Sequence, residues 1–137
     1  MRVVFDTNIL VSALVFPGGQ ADKALACILG GRDRLLVSKA ILDELLGVLA
    51  RKFSRDREEL ARVGVWLDEI AEWVRPVNRL RILADDPDNR VLECAVAGGA
   101  AVLVTGDHAL LRLGSFEGIA IVTIREYLSR RGERGSG

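Results

Sequence analysis

Histidine occurs once in this chain, at His108, and that scarcity excludes a histidine-built zinc site and any mechanism requiring two imidazoles. Cysteine is nearly as rare. Cys27 and Cys94 stand apart, outside any close Cys or Cys/His pairing of the kind that holds zinc, and both read as small core residues. Long apolar runs are missing, because no stretch approaches the ~20 residues needed to cross a bilayer. A secretion signal is missing too: Asp6 interrupts the first apolar run almost at once. A soluble cytoplasmic protein without membrane association is the expectation. Net charge is +0 at pH 7, so nothing global attracts a polyanion. Lysine is scarce against arginine, 3 to 16, and guanidinium forks suit phosphate, although compositional bias accounts for the ratio as well. Repeats, low-complexity tracts and mid-chain linkers are absent. The 137 residues are about the size of one domain.

What the chain does have is a recurring pattern of short apolar runs that break on a carboxylate. Val3-Val4-Phe5 ends at Asp6-Thr7-Asn8, and Ala101-Val102-Leu103-Val104 ends at Thr105-Gly106-Asp107. Continuous β-branched runs of this length read as strands buried on both faces, as in a parallel sheet covered by helices. Ligands bind such sheets beyond the carboxyl ends of the strands.

Between these runs the apolar residues recur at helical spacing. Asn8 is a candidate cap for a helix to Leu14; Ala21, Ala24, Leu25, Ile28 and Leu29 mark a second helix that Gly30-Gly31 stops. Leu35-Leu36-Val37 reads as a strand and Ser38 as the cap of a helix over Lys39 to Lys52. In that helix Glu44 lies at the edge of the apolar stripe and Asp43 further round, a difference too small for the period alone to choose between them. Asp56 and Glu59 form an acidic capping box for a long helix reaching toward Val74. A weak strand near Arg75 to Val77 is expected next. In Asp85-Asp86-Pro87-Asp88-Asn89, Asp86 reads as the N-cap, Pro87 as the first helical residue and Asp88 as a first-turn carboxylate, with Gly98-Gly99 ending the helix after Ala97. A short helical turn follows over Ala109 to Leu113. Gly114 and Gly118 bracket a loop before the buried strand Ile119 to Val122. A last helix runs to about Arg130, and residues 129–137, polar and glycine-rich, read as a disordered tail. Strands alternating with helices predict a three-layer α/β/α domain over residues 1–128 with a central, mainly parallel sheet.

In such a sheet Asp6 and Asp107 would share the carboxyl rim, and the helix headed by Asp88 would begin on that same rim. Carboxylates this close repel one another unless something positive lies between them. Mg2+ or Mn2+ suits the place, since hard cations take oxygen ligands and keep several waters. Such ions activate water and polarise phosphoryl groups without needing a histidine or a covalent nucleophile.

Taken together, Val3-Val4-Phe5-Asp6-Thr7-Asn8, the Ser38 to Leu45 segment with Glu44, Asp86-Pro87-Asp88-Asn89 and Val104-Thr105-Gly106-Asp107 resemble the PIN-domain ribonucleases. They are similar in particular to the VapC-like toxins of bacterial and archaeal toxin-antitoxin pairs. The resemblance runs from Met1 to about Leu128 and keeps all four elements in order. It implies a metal-dependent endoribonuclease that hydrolyses RNA phosphodiester bonds, with Asp6, Glu44, Asp88 and Asp107 as catalytic and metal-ligating acids and Asn8 and Thr105 in support. It also selects Glu44 over Asp43. PIN relatives often show Asp-Pro-any-Asp-Asn, and this chain lacks the spacer, which leaves Asp85 or Asp86 as an accessory ligand. A small antitoxin protein and a homodimer are implied by resemblance alone. Arg51, Lys52, Arg90 and Arg112 are candidate RNA contacts. A phosphatase of the halogenoacid-dehalogenase type would need an aspartate at position 8, where Asn8 stands. A response-regulator receiver would need an acidic pair after the first strand, also absent. The remaining alternative is a PIN-like domain without catalysis that binds RNA or protein.

Overall fold

The computed structural model describes residues 1–136, with side chains through Arg130. The elements are β1 (Arg2–Phe5), α1 (Thr7–Val15), α2 (Gln20–Leu29), β2 (Arg34–Val37), α3 (Lys39–Phe53), α4 (Arg57–Ile70), β3 (Ala71–Trp73), α5 (Asp86–Ala97), β4 (Val102–Val104), α6 (His108–Leu113), β5 (Ser115–Phe116), β6 (Ile119–Val122) and α7 (Ile124–Ser136). The tail expected over residues 129–137 lies, from position 131 on, outside the described side chains, and Gly137 lies outside the described residues altogether.

Sheet order is β3-β2-β1-β4-β6-β5. All neighbours pair in parallel except β5 and β6. The expected α/β architecture is therefore the observed one. Val3, Val4 and Phe5, then Leu35, Leu36 and Val37, then Val102, Leu103 and Val104 are buried without alternation. Consecutive residues on a strand point to opposite faces, so unbroken burial requires helices over both. Each fully buried leucine here contributes about 1.5–3 kcal/mol. Phe5 meets the fully buried Tyr127 of α7 edge to face, ring centroids 5.8 Å apart.

The topology fixes where a ligand can bind. From β1 the chain moves outward to β2 and β3, then returns through α5 to β4 on the other side of β1. The crevice between the carboxyl ends of β1 and β4 is thus the switch point of the sheet. The Asp6 N–H donates to the Val104 carbonyl at 3.0 Å, which closes the two strand ends together.

Several expectations are corrected. The third strand is Ala71–Trp73 rather than Arg75 to Val77: α4 stops at Ile70, and Pro76 has no N–H to give a ladder. The loop between Gly114 and Gly118 holds a tight hairpin in which Phe116 pairs with Ile119, with φ of 47° at Glu117 and 82° at Gly118. Two successive positive φ values are what a type I′ turn requires, and glycine supplies the second without strain. Helix α1 is capped by Asp6, not Asn8, its Oδ1 accepting from the Ile9 N–H at 3.0 Å. Helix α5 begins at Asp86, so its N-cap is Asp85. The caps expected at Ser38 and at Asp56 with Glu59 are present.

Candidate metal centre

Two loops and two helix starts build the site. Asp6 leaves β1 and caps α1; Asp107 leaves the β4 turn and caps α6 through Oδ1, which accepts from the Ala109 and Leu110 N–H groups at 2.9 and 3.1 Å. Thr105 joins them. Its hydroxyl donates to Asp6 Oδ2 and accepts from the Asp107 N–H at 2.9 Å. Thr105 is fully buried, so the two acid-bearing turns are locked to each other by one hydroxyl.

A cavity of about 180 Å³ opens above this lock, lined by Asp6, Thr7, Asn8, Glu44, Asp85, Pro87, Asp88, Val91 and Asp107. All four acids expected from the sequence line it, and Asp85 makes a fifth. Among the described residues no lysine, arginine or histidine does. Glu44 reaches the cavity from the second turn of α3, whereas Asp43 is exposed and engaged by Lys39 at 2.8 Å. Asn8 is exposed at the rim. Asp86 turns the other way, into an adjoining cleft, where it pairs with Arg90 at 3.3 Å. Of the two accessory candidates, only Asp85 faces the acids.

The crowding changes their protonation. Burial pushes the Asp88 carboxyl up to about 6, and the charges of Asp107, Asp85 and Asp6 add to it. Asp6 is raised by burial as well, and by Asp107; hydrogen bonds from Thr105 and the Ile9 N–H pull it partly back. Asp88 is 9% exposed and its Oδ2 is buried without a hydrogen-bond partner. A buried, unpartnered carboxylate oxygen is costly unless a donor or a cation meets it. The donor set, all oxygen and all anionic, fits a hard divalent ion. Among the described residues no three such side chains are drawn together tightly enough to form a ready cage.

The basic candidates are placed elsewhere. Arg90 is buried, with Nε 2.9 Å from Glu93 and Nη2 donating to the Leu80 carbonyl at 2.9 Å, so it is committed inside the fold and is corrected as an RNA contact. Arg51 and Lys52 occupy the last turn of α3, about 10 Å along the helix from Glu44. Arg112 lies in the last turn of α6. None of them lines the cavity. Among the described residues no helix is long and apolar enough to cross a membrane.

Comparison with known proteins agrees with this architecture. A model of the PIN domain matches residues 2–109, and the chain belongs to the PIN-domain family. It is 26% identical over 117 residues to the uncharacterized protein MJ1680 of Methanocaldococcus jannaschii, covering 82% of this chain and 75% of that one. Its fold is similar to that of VapBC2 from Rickettsia felis, solved bound to a DNA fragment from its promoter, with TM-score 0.66 and 19% identity over 90% of this chain and 98% of that chain. VapBC-1 from nontypeable Haemophilus influenzae gives 0.60 and 20%, covering 82% of this chain and 91% of the other. The PIN domain of T. brucei RRP44 gives 0.52 and 15%, with coverage of 98% and 83%.

Proposed function

We propose that this chain is a metal-dependent endoribonuclease that cleaves RNA phosphodiester bonds in the cytoplasm, as the toxin of a toxin-antitoxin pair. One observation carries the nuclease reading: among the described residues five carboxylates and no basic side chain line one cavity at the switch point of the sheet, and Asp88 Oδ2 is buried there unpartnered. Asp6, Glu44, Asp88 and Asp107 would hold Mg2+ or Mn2+. A divalent ion in that place supplies activation of water and neutralises charge developing on the phosphate. The chain's own task is to aim the acids. The α1 cap and Thr105 between them fix both oxygens of Asp6, and the α6 cap fixes Oδ1 of Asp107, so each of these carboxylates is held in one orientation in the cavity wall. Asn8, exposed at the rim, would hydrogen-bond water or substrate. The toxin reading is supported by likeness of fold to the two VapBC structures, and a small antitoxin and a second copy of the chain are the partners it brings.

Single-stranded RNA incubated with the protein in manganese, in chelator, and with Asp6→Asn tests the reading. Asparagine caps a helix as well as aspartate, so the variant keeps α1 while losing the charge. Cleavage is expected to stop in chelator and to fall by at least about a hundredfold in the variant, since loss of a mere supporting partner of a metal ligand already reaches that figure. Unchanged cleavage by the variant would place the chemistry elsewhere. RNA retained without cleavage in manganese would favour the binding-module alternative.

A further inference from the structure

The irregular segment 74–85 between β3 and α5 has no ladder of its own, yet three side chains from the start of α5 fasten it. Asn89, 3% exposed, accepts through Oδ1 from the N–H groups of Ile82 and Leu83 at 3.0 and 2.9 Å and donates through Nδ2 to the Leu83 carbonyl at 2.8 Å. Its amide thus takes the place of a neighbouring strand. Glu93 accepts from the Leu80 N–H at 2.7 Å, and Arg90 donates to the Leu80 carbonyl. The segment cannot slide without stripping several part-buried backbone groups of their partners.

Directly after the fastened residues the chain delivers Asp85. It is the N-cap of α5 but makes no side-chain capping bond, unlike Asp6, Ser38, Asp56 and Asp107 at their helices. Its carboxylate lines the acid cavity instead, together with Asp88 and its unpartnered buried oxygen. A carboxylate left out of its local cap and set beside an unmet anionic oxygen lacks a purpose within the fold. It has one if a cation joins the two.

We propose that Asp85 is a fifth acid of the metal centre and that Asn89 is the positioning residue that holds it there; this rests on the metal-centre reading above. Asn89 touches no bound ion. It acts through the backbone of Ile82 and Leu83, three and two residues ahead of the carboxylate it places.

Manganese binding to the full-length chain, measured by the electron paramagnetic resonance signal of free Mn2+, tests both parts without recourse to activity. Asp85→Asn and Asn89→Ala are each expected to weaken binding by about tenfold, as loss of supporting partners of a metal site does. The double variant should bind no more weakly than the weaker single variant, since both remove the same carboxylate from the site. Ala84→Gly, at an exposed position between the fastened residues and Asp85, should cost up to about fivefold through added backbone freedom. That loss should vanish when Asp85 is already asparagine, so the positioning role stays testable if Asn89→Ala does not fold. Unchanged binding in Asp85→Asn overturns the proposal. Additive losses overturn the part given to Asn89. If the unsubstituted chain binds no manganese, the metal-centre reading fails first; if it binds and Asp88→Asn abolishes binding while Asp85→Asn does not alter it, only this inference fails.

Discussion

The two ends of the sheet treat charge in opposite ways. Toward the amino ends of β1 and β2, Asp33 and Glu72 each have a cation or a donor. Asp33, 5% exposed, accepts from the amino group of Met1 at 2.9 Å and from the Tyr127 hydroxyl at 2.5 Å. Glu72 lies between Arg2 and Arg34, which sit side by side in the β1–β2 register, at 2.5 and 3.7 Å. Bonding to Arg2 lowers the Glu72 carboxyl, while burial and the neighbouring Asp33 hold the Tyr127 phenol up. At the carboxyl rim five acids face one cavity with no cation among its described lining residues. A net charge of +0 conceals this separation completely. Balance at one rim is structural; imbalance at the other has to be met by protons or by something bound.

The largest test of that contrast removes a balanced charge. Asp33→Ala is expected to destabilise the fold by about 3 kcal/mol, because it strips a buried acid from its partners, and the urea midpoint reads it. Removing an unbalanced charge should do the reverse. Asp88→Asn is expected to stabilise the metal-free protein by about 1 kcal/mol at pH 7, a figure reduced for solvent screening. The sign follows from proton count. Asp88 titrates near 6 when folded and near 3.8 otherwise, so between those values the native state holds more protons and stability falls as pH rises. Above about pH 6 the cost is fully present; near pH 4 the variant and the parent should melt together. Manganese should raise the melting temperature of the parent and not of the variant. The smallest expected effect separates neighbours on α3: Asp43→Asn, which loses an exposed pair, should change stability by less than about 0.5 kcal/mol. Its manganese affinity should match the parent's, while Glu44→Gln should bind about tenfold more weakly.

The same contrast explains what could be read from residues alone. β1, β2, β4 and β6 announce themselves because strands covered on both faces need unbroken apolar runs, and the acids that follow β1 and β4 are placed by topology. β3 carries Glu72 at its centre and makes one short ladder, so neither a run nor an alternation marks it. β5 is two residues long, and its Glu117-Gly118 turn lacks the Asn-Gly or Asp-Gly signature of such hairpins. Caps were ambiguous where two good capping residues lie close, as with Asp6 and Asn8 or Asp85 and Asp86; the backbone decides which one starts the helix. Arg90 read as a surface cation because nothing in the sequence shows that Glu93 and Asp86 enclose it. Period left Glu44 and Asp43 open, and resemblance chose the residue that lines the cavity.

The brevity of the two outermost strands has a further consequence for how copies of this molecule meet. β3 presents three residues and β5 two, and the bend at Glu117 and Gly118 turns the latter edge back on itself. So short a row of free backbone groups gives a second sheet almost nothing to continue. Both sides of the sheet are therefore poor templates for association by shared strands, the route to fibres.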